Sequence, residues 1–206
     1  MTTESGVVSL RPQEVSAAAN VLARAFEDDP VLVWLVPDEQ QRSRDLPWAM
    51  NLMTRYALKY GQIDTTAGQP EAVALWLPPE SPIIGTLRIM RTGMWLTPLK
   101  LGFGVFGRYL KWANFSEHLH KRDMPPRHWY LPLIGVDPSR QGQGLGGRLM
   151  ERALARADAD RVPSYLENTK ERNLPFYEKH GFEVIVEEKV TEDGPTVWTM
   201  KREPVG

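Results

Sequence analysis

Apolar positions recur along this chain at two periods. Over 13–26, Val15, Ala18, Ala19, Leu22 and Phe26 follow the spacing of one helix face. Asp29-Pro30 then interrupts the pattern, because a proline ring crowds the residue before it and favours an extended turn. A second helix is predicted over 38–60, with Leu46, Met50, Met53, Ala57 and Tyr60 on one stripe. Strand-like runs occur at VVSL (7–10), AVALWL (72–77), HWYLPLIGV (128–136) and PSYLEN (163–168). Near the end of the chain, FEVIVEEKV and TVWTMKR flank TEDG, a turn sequence that predicts a hairpin.

Residues 83–122 carry a helical, aromatic-rich pattern, and Gly93, Pro98 and Gly104 are expected to split it into two or three short helices. Further helices are expected up to about Asp160 and over 173–181, the second closed by Gly181. Strands and helices alternate, which predicts a mixed α/β domain. The run 128–136 holds both Pro132 and Gly135, and a regular central ladder does not accommodate the pair. A bulge or a splayed strand is expected there.

A length of 206 residues suits one domain with its own core, here taken as 1–206 with a helical segment at about 80–122. A net charge of −1 gives no global attraction to nucleic acid or anionic membranes. Cysteine is absent, which excludes disulfides, thiolate metal sites and Cys nucleophiles and suits a cytoplasmic location. The first residues lack the pattern of a signal peptide, and no apolar run is long enough to span a bilayer. His118 and His120 lie two apart on an expected helix and so face different ways, which fits solvated helix-end residues rather than a metal site. Trp95, Phe103, Phe106, Tyr109 and Trp112 read as core, some of them as walls of a pocket.

The densest chemical signal is VDPSRQGQGLGGRLM, where Gly142, Gly144, Gly146 and Gly147 fall at the start of a helix. A helix N-terminus has unpaired N–H groups and a partial positive charge. Glycines strip it of Cβ atoms, so an anion can approach the backbone. Arg140 and Arg148 add charge, and Gln141 and Gln143 add neutral donors. The turn reads as a phosphate cradle, or more plainly as tight strand–helix packing. It lacks the Gly-Lys-Ser/Thr ending of a nucleotide P-loop. It fits G-x-G-x-x-G through Gly142, Gly144 and Gly147, and equally Gln141-x-x-Gly144-x-Gly146.

The second spacing, after a kinked strand and before an amphipathic helix, resembles motif A of the GNAT superfamily of acyl-CoA-dependent N-acyltransferases. YLENTKERNLPFYEKHGFEVI resembles motif B of the same superfamily. The likeness is nearest to the puromycin N-acetyltransferases, strong over 128–202, moderate over 7–35 and poor over 80–122.

The resemblance implies a mostly antiparallel twisted sheet with a central V-shaped splay, flanked by helices. It implies acetyl-CoA as co-substrate, no metal, and transfer to a primary amine by direct attack. It places the coenzyme pyrophosphate on Arg140, Gln141, Gly142, Gln143, Gly144, Leu145, Gly146 and Gly147. Ile134, Gly135 and Val136 would meet the pantetheine arm through their backbone, and Asn173 would contact it while capping its own helix. Tyr177 would protonate the leaving thiolate, a role open to a phenol that is neutral at pH 7. Glu167 is weighed as a base against a surface salt bridge, and His128 as lining the acceptor site. The expected partner is a small amine, without nucleic acid or membrane, in a monomer or homodimer. The rival from another class is a catalytically silent acyl-CoA-binding module.

Overall fold

The computed structural model of the chain describes residues 6–85, 88, 89 and 91–205. The elements run β1 (Val7–Ser9), α1 (Val15–Ala25), α2 (Pro30–Leu35), α3 (Glu39–Tyr60), β2 (Gln62–Thr66) and β3 (Ala72–Leu77). They continue as α4 (Thr97–Leu101), α5 (Phe103–Asp123), β4 (Trp129–Val136), α6 (Leu145–Asp160), β5 (Ser164–Asn168), α7 (Leu174–Glu178), β6 (Glu183–Lys189) and β7 (Thr196–Arg202). One seven-stranded sheet has the order β1-β2-β3-β4-β5-β7-β6. Its pairings are antiparallel except for β4 with β5. This is the mixed, mostly antiparallel sheet expected above.

Both faces of the sheet are covered. One core joins Ala74 and Trp76 of β3 and Leu131 of β4 to Leu149, Met150 and Leu154 of α6 and Tyr177 of α7. The opposite core joins Val73 and Leu75 to Ala18, Ala19 and Leu22 of α1 and Leu46 and Met50 of α3. β3 is buried on both faces, which explains why AVALWL is a continuous apolar run rather than an alternation.

Four local expectations need correction. Asp29 is extended, as its neighbour Pro30 requires, but Pro30 opens a helix rather than a turn. The Asp29 side chain caps α2 by accepting from the N–H groups of Val31 and Leu32. β2 was missed, because Asp64 and three threonine or glutamine residues hide a buried strand. Asp64 is buried against Arg156 and Arg152 of α6, which supplies the charge its burial demands.

In the 83–122 segment, Gly104 lies inside the 21-residue helix α5 and does not break it. The break falls at Gly102, whose φ of +91° ends α4. Residues 86, 87 and 90 of that segment lie outside the described residues. Trp95 and Phe103 are 55% and 76% exposed, so they are not core.

Pro132 and Gly135 do what their pairing implied. Leu75 stands opposite Leu133 and Leu77 opposite Tyr130, so β4 has one extra residue between these pairs, and Pro132 lies within that bulge. Gly135 has a separate reason to lack a side chain: a Cβ there would lie 2.9 Å from Ala25 Cβ and 3.1 Å from Leu22 Cδ2. The close approach of α1 to β4 depends on this gap. Gly135→Ala is therefore expected to lower stability by about 1–3 kcal/mol, the usual range for an overpacked core. Adding Ala25→Gly should restore part of the loss. Urea denaturation of both variants tests the coupling; equal stability of Gly135→Ala and the parent chain would show that α1 does not need the gap.

Candidate active site

The parallel pairing of β4 with β5 covers only Trp129–Leu131 against Ser164–Leu166. Pro132 has no N–H to extend the ladder. Beyond it, Ile134, Gly135 and Val136 stay paired to β3, while Glu167 and Asn168 stay paired to β7. A wedge opens between the strands. Alternate residues of β4 turn their N–H and C=O groups into it without a strand partner.

A cleft of about 1010 Å³ runs from this wedge to the start of α6. Ile134, Gly135 and Val136 form one wall, and Arg140, Gln141, Gly142, Gly144 and Leu145 follow at its rim. Gly146 and Gly147 of the first turn, with Asn173 and Tyr177, also border it. Gln143 is exposed on the same turn but does not border the cleft. The Gln141 amide donates to the Val136 carbonyl at 3.3 Å, tying the turn to the splayed strand.

The four glycines divide into two pairs. Gly142 and Gly144 have φ of +77° and +75°, and a Cβ on either would meet nothing within 4 Å. They let the backbone turn and leave open space in front of the helix. Gly146 and Gly147 are helical, with ordinary room for a Cβ against Phe176, Val136 or His180 at 3.5–3.7 Å. Gly144 is the N-cap and has no side chain to bond the first-turn N–H groups, so these remain for an anion. Leu145 contributes its backbone only, since its side chain is in the core. Arg140 is less available than the sequence suggested, being held by Glu71 at 2.9 Å. Arg148 donates to the Gln143 carbonyl at 3.3 Å.

A second cavity of about 220 Å³ lies on the α3 and α5 side of the sheet. It shares Phe26, Asp29, Arg42, Pro132, Glu167 and Thr169 with the cleft, so the two meet at the wedge. Tyr177 is 8% exposed, with its ring against Phe176 and Phe182. Among the described residues its hydroxyl has no hydrogen-bond partner. Burial, with the Asp29 carboxylate nearby, pushes its pKa above the usual phenol value and keeps it protonated.

Glu167 accepts from the Tyr130 hydroxyl at 2.6 Å and the Ser116 hydroxyl at 2.7 Å. Burial pushes its pKa up to about 7, against the opposing pull of these two donors. Asp29 accepts from the Thr169 hydroxyl at 2.6 Å, and burial raises its pKa as well. Among the described residues neither carboxylate forms an exposed ion pair, so nothing there supports the salt-bridge alternative for Glu167. The signal for Glu167 was the strand period, which places it on the same face as buried Tyr165. The signal for Asp29 was the Asp-Pro pair at a helix start.

Three other expectations change. Asn173 holds the N-cap position of α7, but its side chain makes no capping bond and faces the cleft. His120 is buried, not solvated: it stacks on Tyr165 at 4.5 Å and meets the buried His128. Burial, then His128, lowers the His120 pKa to about 3, so it is neutral at pH 7. His128 lines neither cavity and faces the Pro125 carbonyl through Nδ1. The solvated description fits His118 alone of these three.

Residues 101–184 match the model of the acetyltransferase (GNAT) domain. Over 175 residues the chain is 30% identical to an uncharacterized N-acetyltransferase of Schizosaccharomyces pombe, covering 82% of this chain and 71% of that one. Among solved structures, a Corynebacterium glutamicum protein described as histone acetyltransferase HPA2 and related acetyltransferase superposes with a TM-score of 0.71 at 23% identity. That match covers 98% of this chain and 97% of the other. The polyamine N-acetyltransferase of Drosophila melanogaster gives 0.59 at 17% identity, covering 96% and 98%. These two likenesses are of fold. Given the match to the yeast relative, the chain belongs to the GNAT family of acetyltransferases and is an acyltransferase enzyme, of a family that takes acetyl-CoA as co-substrate.

Proposed function

We propose that this enzyme moves an acetyl group from acetyl-CoA to a small primary amine by direct attack in a ternary complex. The observation that supports it most is the meeting of two cavities at the wedge. One has a bare helix start suited to phosphate, and the other brings the buried Asp29 and half-buried Glu167 carboxylates to the same opening. The first-turn N–H groups of α6 take the pyrophosphate in the space that a Cβ at Gly142 or Gly144 would fill. Unpaired backbone groups of Ile134–Val136 hold the pantetheine arm, with the Asn173 side chain beside it. An N–H of the splayed strand polarises the acetyl carbonyl.

Glu167 takes the proton of the incoming ammonium. The free amine then forms its C–N bond as the C–S bond breaks, and the proton that the acylated nitrogen sheds passes to solvent in the cleft, which leaves a neutral amide. Tyr177 donates to the departing sulfur. A phenol is a weaker acid than a thiol, so its contribution is chiefly a hydrogen bond to the developing thiolate, with full transfer completed from solvent.

The cradle is tested by a change with opposite effects on folding and binding. Gly147→Asp adds a good first-turn residue beside the positive end of the helix, so thermal stability should hold or rise. The same charge opposes pyrophosphate, and acetyl-CoA affinity by calorimetry should fall at least tenfold, about 1.4 kcal/mol. Unchanged affinity would remove the pyrophosphate from this turn.

Tyr177→Phe keeps the ring and deletes the hydroxyl. The expected loss in kcat is at the low end for a positioned acid, about 10²-fold, while the acetyl-CoA Kd moves less than about threefold. If the variant keeps half the parent kcat with chemistry rate-limiting, Tyr177 does not act on the leaving group.

Glu167 gives a pH signature of known sign. A base with a pKa of about 7 makes kcat/KM fall as pH drops below that value. Its folded pKa is raised, so its contribution to stability is full below the unfolded value near 4.5 and is lost as pH rises through about 7. Glu167→Gln should lose at least 10²-fold in kcat/KM together with the acidic limb. Its Tm should fall less than that of the parent between pH 6 and pH 8. An intact acidic limb in Glu167→Gln would assign the base elsewhere.

A further inference from the structure

The acceptor-side cavity has a polar end and an apolar body. Where it joins the cleft stand Asp29, Glu167 and the Thr169 hydroxyl, with Arg42 at the same junction but its guanidinium turned to backbone carbonyls. The walls it does not share with the cleft are largely apolar: Trp48 and Leu52 from α3, Leu101 from α4, and Val105, Tyr109 and Trp112 from α5. Asp45 borders it too, and both it and Arg42 are already matched. Asp45 is held by Arg44 at 2.8 Å, with Lys100 at 4.0 Å. Arg42 donates to the carbonyls of Glu27, Val36 and Pro37, and so brings a buried positive charge.

One ammonium group therefore finds two carboxylates at the wedge. A second one, carried at the far end of the same molecule, finds a neutralised carboxylate and largely apolar walls. Burying a charge without a partner is costly enough that the group stays in water or loses its proton. Hydrocarbon has the opposite preference, since each buried methylene improves transfer from water.

We infer that, on the acetyl-transfer reading of this site, the acceptor is an apolar monoamine: an alkyl- or arylalkylamine with its ammonium at Asp29 and Glu167 and its hydrocarbon body among the α3, α4 and α5 side chains. The reaction then consumes a cation and releases a neutral amide into an apolar cavity. Proton removal by Glu167 is what makes the head group uncharged before the C–N bond forms.

The experiment compares hexylamine with 1,6-diaminohexane, equal in chain length, and propylamine through hexylamine, each at pH 8 with saturating acetyl-CoA. CoA release gives kcat/KM. Hexylamine should exceed the diamine at least tenfold, and the series should climb about fourfold per methylene until the cavity is filled. Trp112→Ala should flatten that climb, whereas Trp95→Ala, which changes an exposed side chain outside the cavity, should leave it unaltered.

A diamine that matches or beats hexylamine, or a series without slope, overturns the monoamine assignment and leaves acetyl transfer standing. Calorimetric titration of both amines into the CoA-bound protein separates the two readings further. Preferential binding of hexylamine without turnover would uphold the apolar class and defeat acetyl transfer. Absence of hexylamine binding and turnover alike, in protein that binds acetyl-CoA, would defeat the class itself.

Discussion

The parallel ladder between β4 and β5 stops where Pro132 has no N–H to give, and the site is built around that stop. A ladder left open in a buried sheet is normally costly, because backbone groups lose water without gaining partners. Here the gap is held by polar contacts across its mouth. Asp28, between α1 and α2, pairs with Lys170 and Arg172, between β5 and α7. Its neighbour Asp29 takes the Thr169 hydroxyl. These contacts join the loops on either side of the wedge, so it is a fixed opening and not a frayed edge.

The same opening explains where the unusual ionisable groups collect. Glu167 and Asp29 both have pKa values raised by burial, and both border the point where the two cavities meet. Perturbed groups that gather at a cleft are more informative than those in surface pairs. Asp137 shows the contrast: it lies between Val136 and Pro138, which border the cleft, its pKa is lowered to about 2 by Ser139 and Arg24, and it fixes the strand end to α1. That carboxylate is structural. The distinction rests on what surrounds each group, since all three are acids near the same cleft.

Much of this was legible in the sequence where a residue type has few alternatives. Pro132 and Gly135 in one strand pointed to the splay, and four glycines before an amphipathic helix pointed to the cradle. The two glycine effects were not separable from sequence, because only the backbone shows that Gly142 and Gly144 need positive φ while Gly146 and Gly147 do not. Gly135 was read for the splay and the coenzyme, although the nearness of Ala25 gives it a packing reason too. Residues whose role depends on distant partners were harder. Asp64 hid β2 from the apolar pattern, and its burial is explained only by Arg156 and Arg152 beside it. His120 looked solvated at a helix end, but α5 buries that end against Tyr165 and His128. Gly104 looked like a breaker, yet helical packing absorbs a glycine for about 1 kcal/mol.

Charge also separates the two proposed substrates along the wedge. The cleft offers a helix N-terminus to an anion, with Arg140 and Arg148 near it but each already engaged by Glu71 or Gln143. The other cavity offers carboxylates to a cation at its inner end and apolar walls elsewhere. A polyanion is repelled by Asp29 and Glu167, and an ammonium gains nothing at a helix N-terminus. The wedge is thus a boundary between two fields as well as a hole in the sheet. The two groups assigned to proton transfer in the proposed mechanism stand on different elements: Tyr177 of α7 borders the cleft, whereas Glu167 of β5, which loses β4 as its neighbour beyond Leu166, borders both cavities.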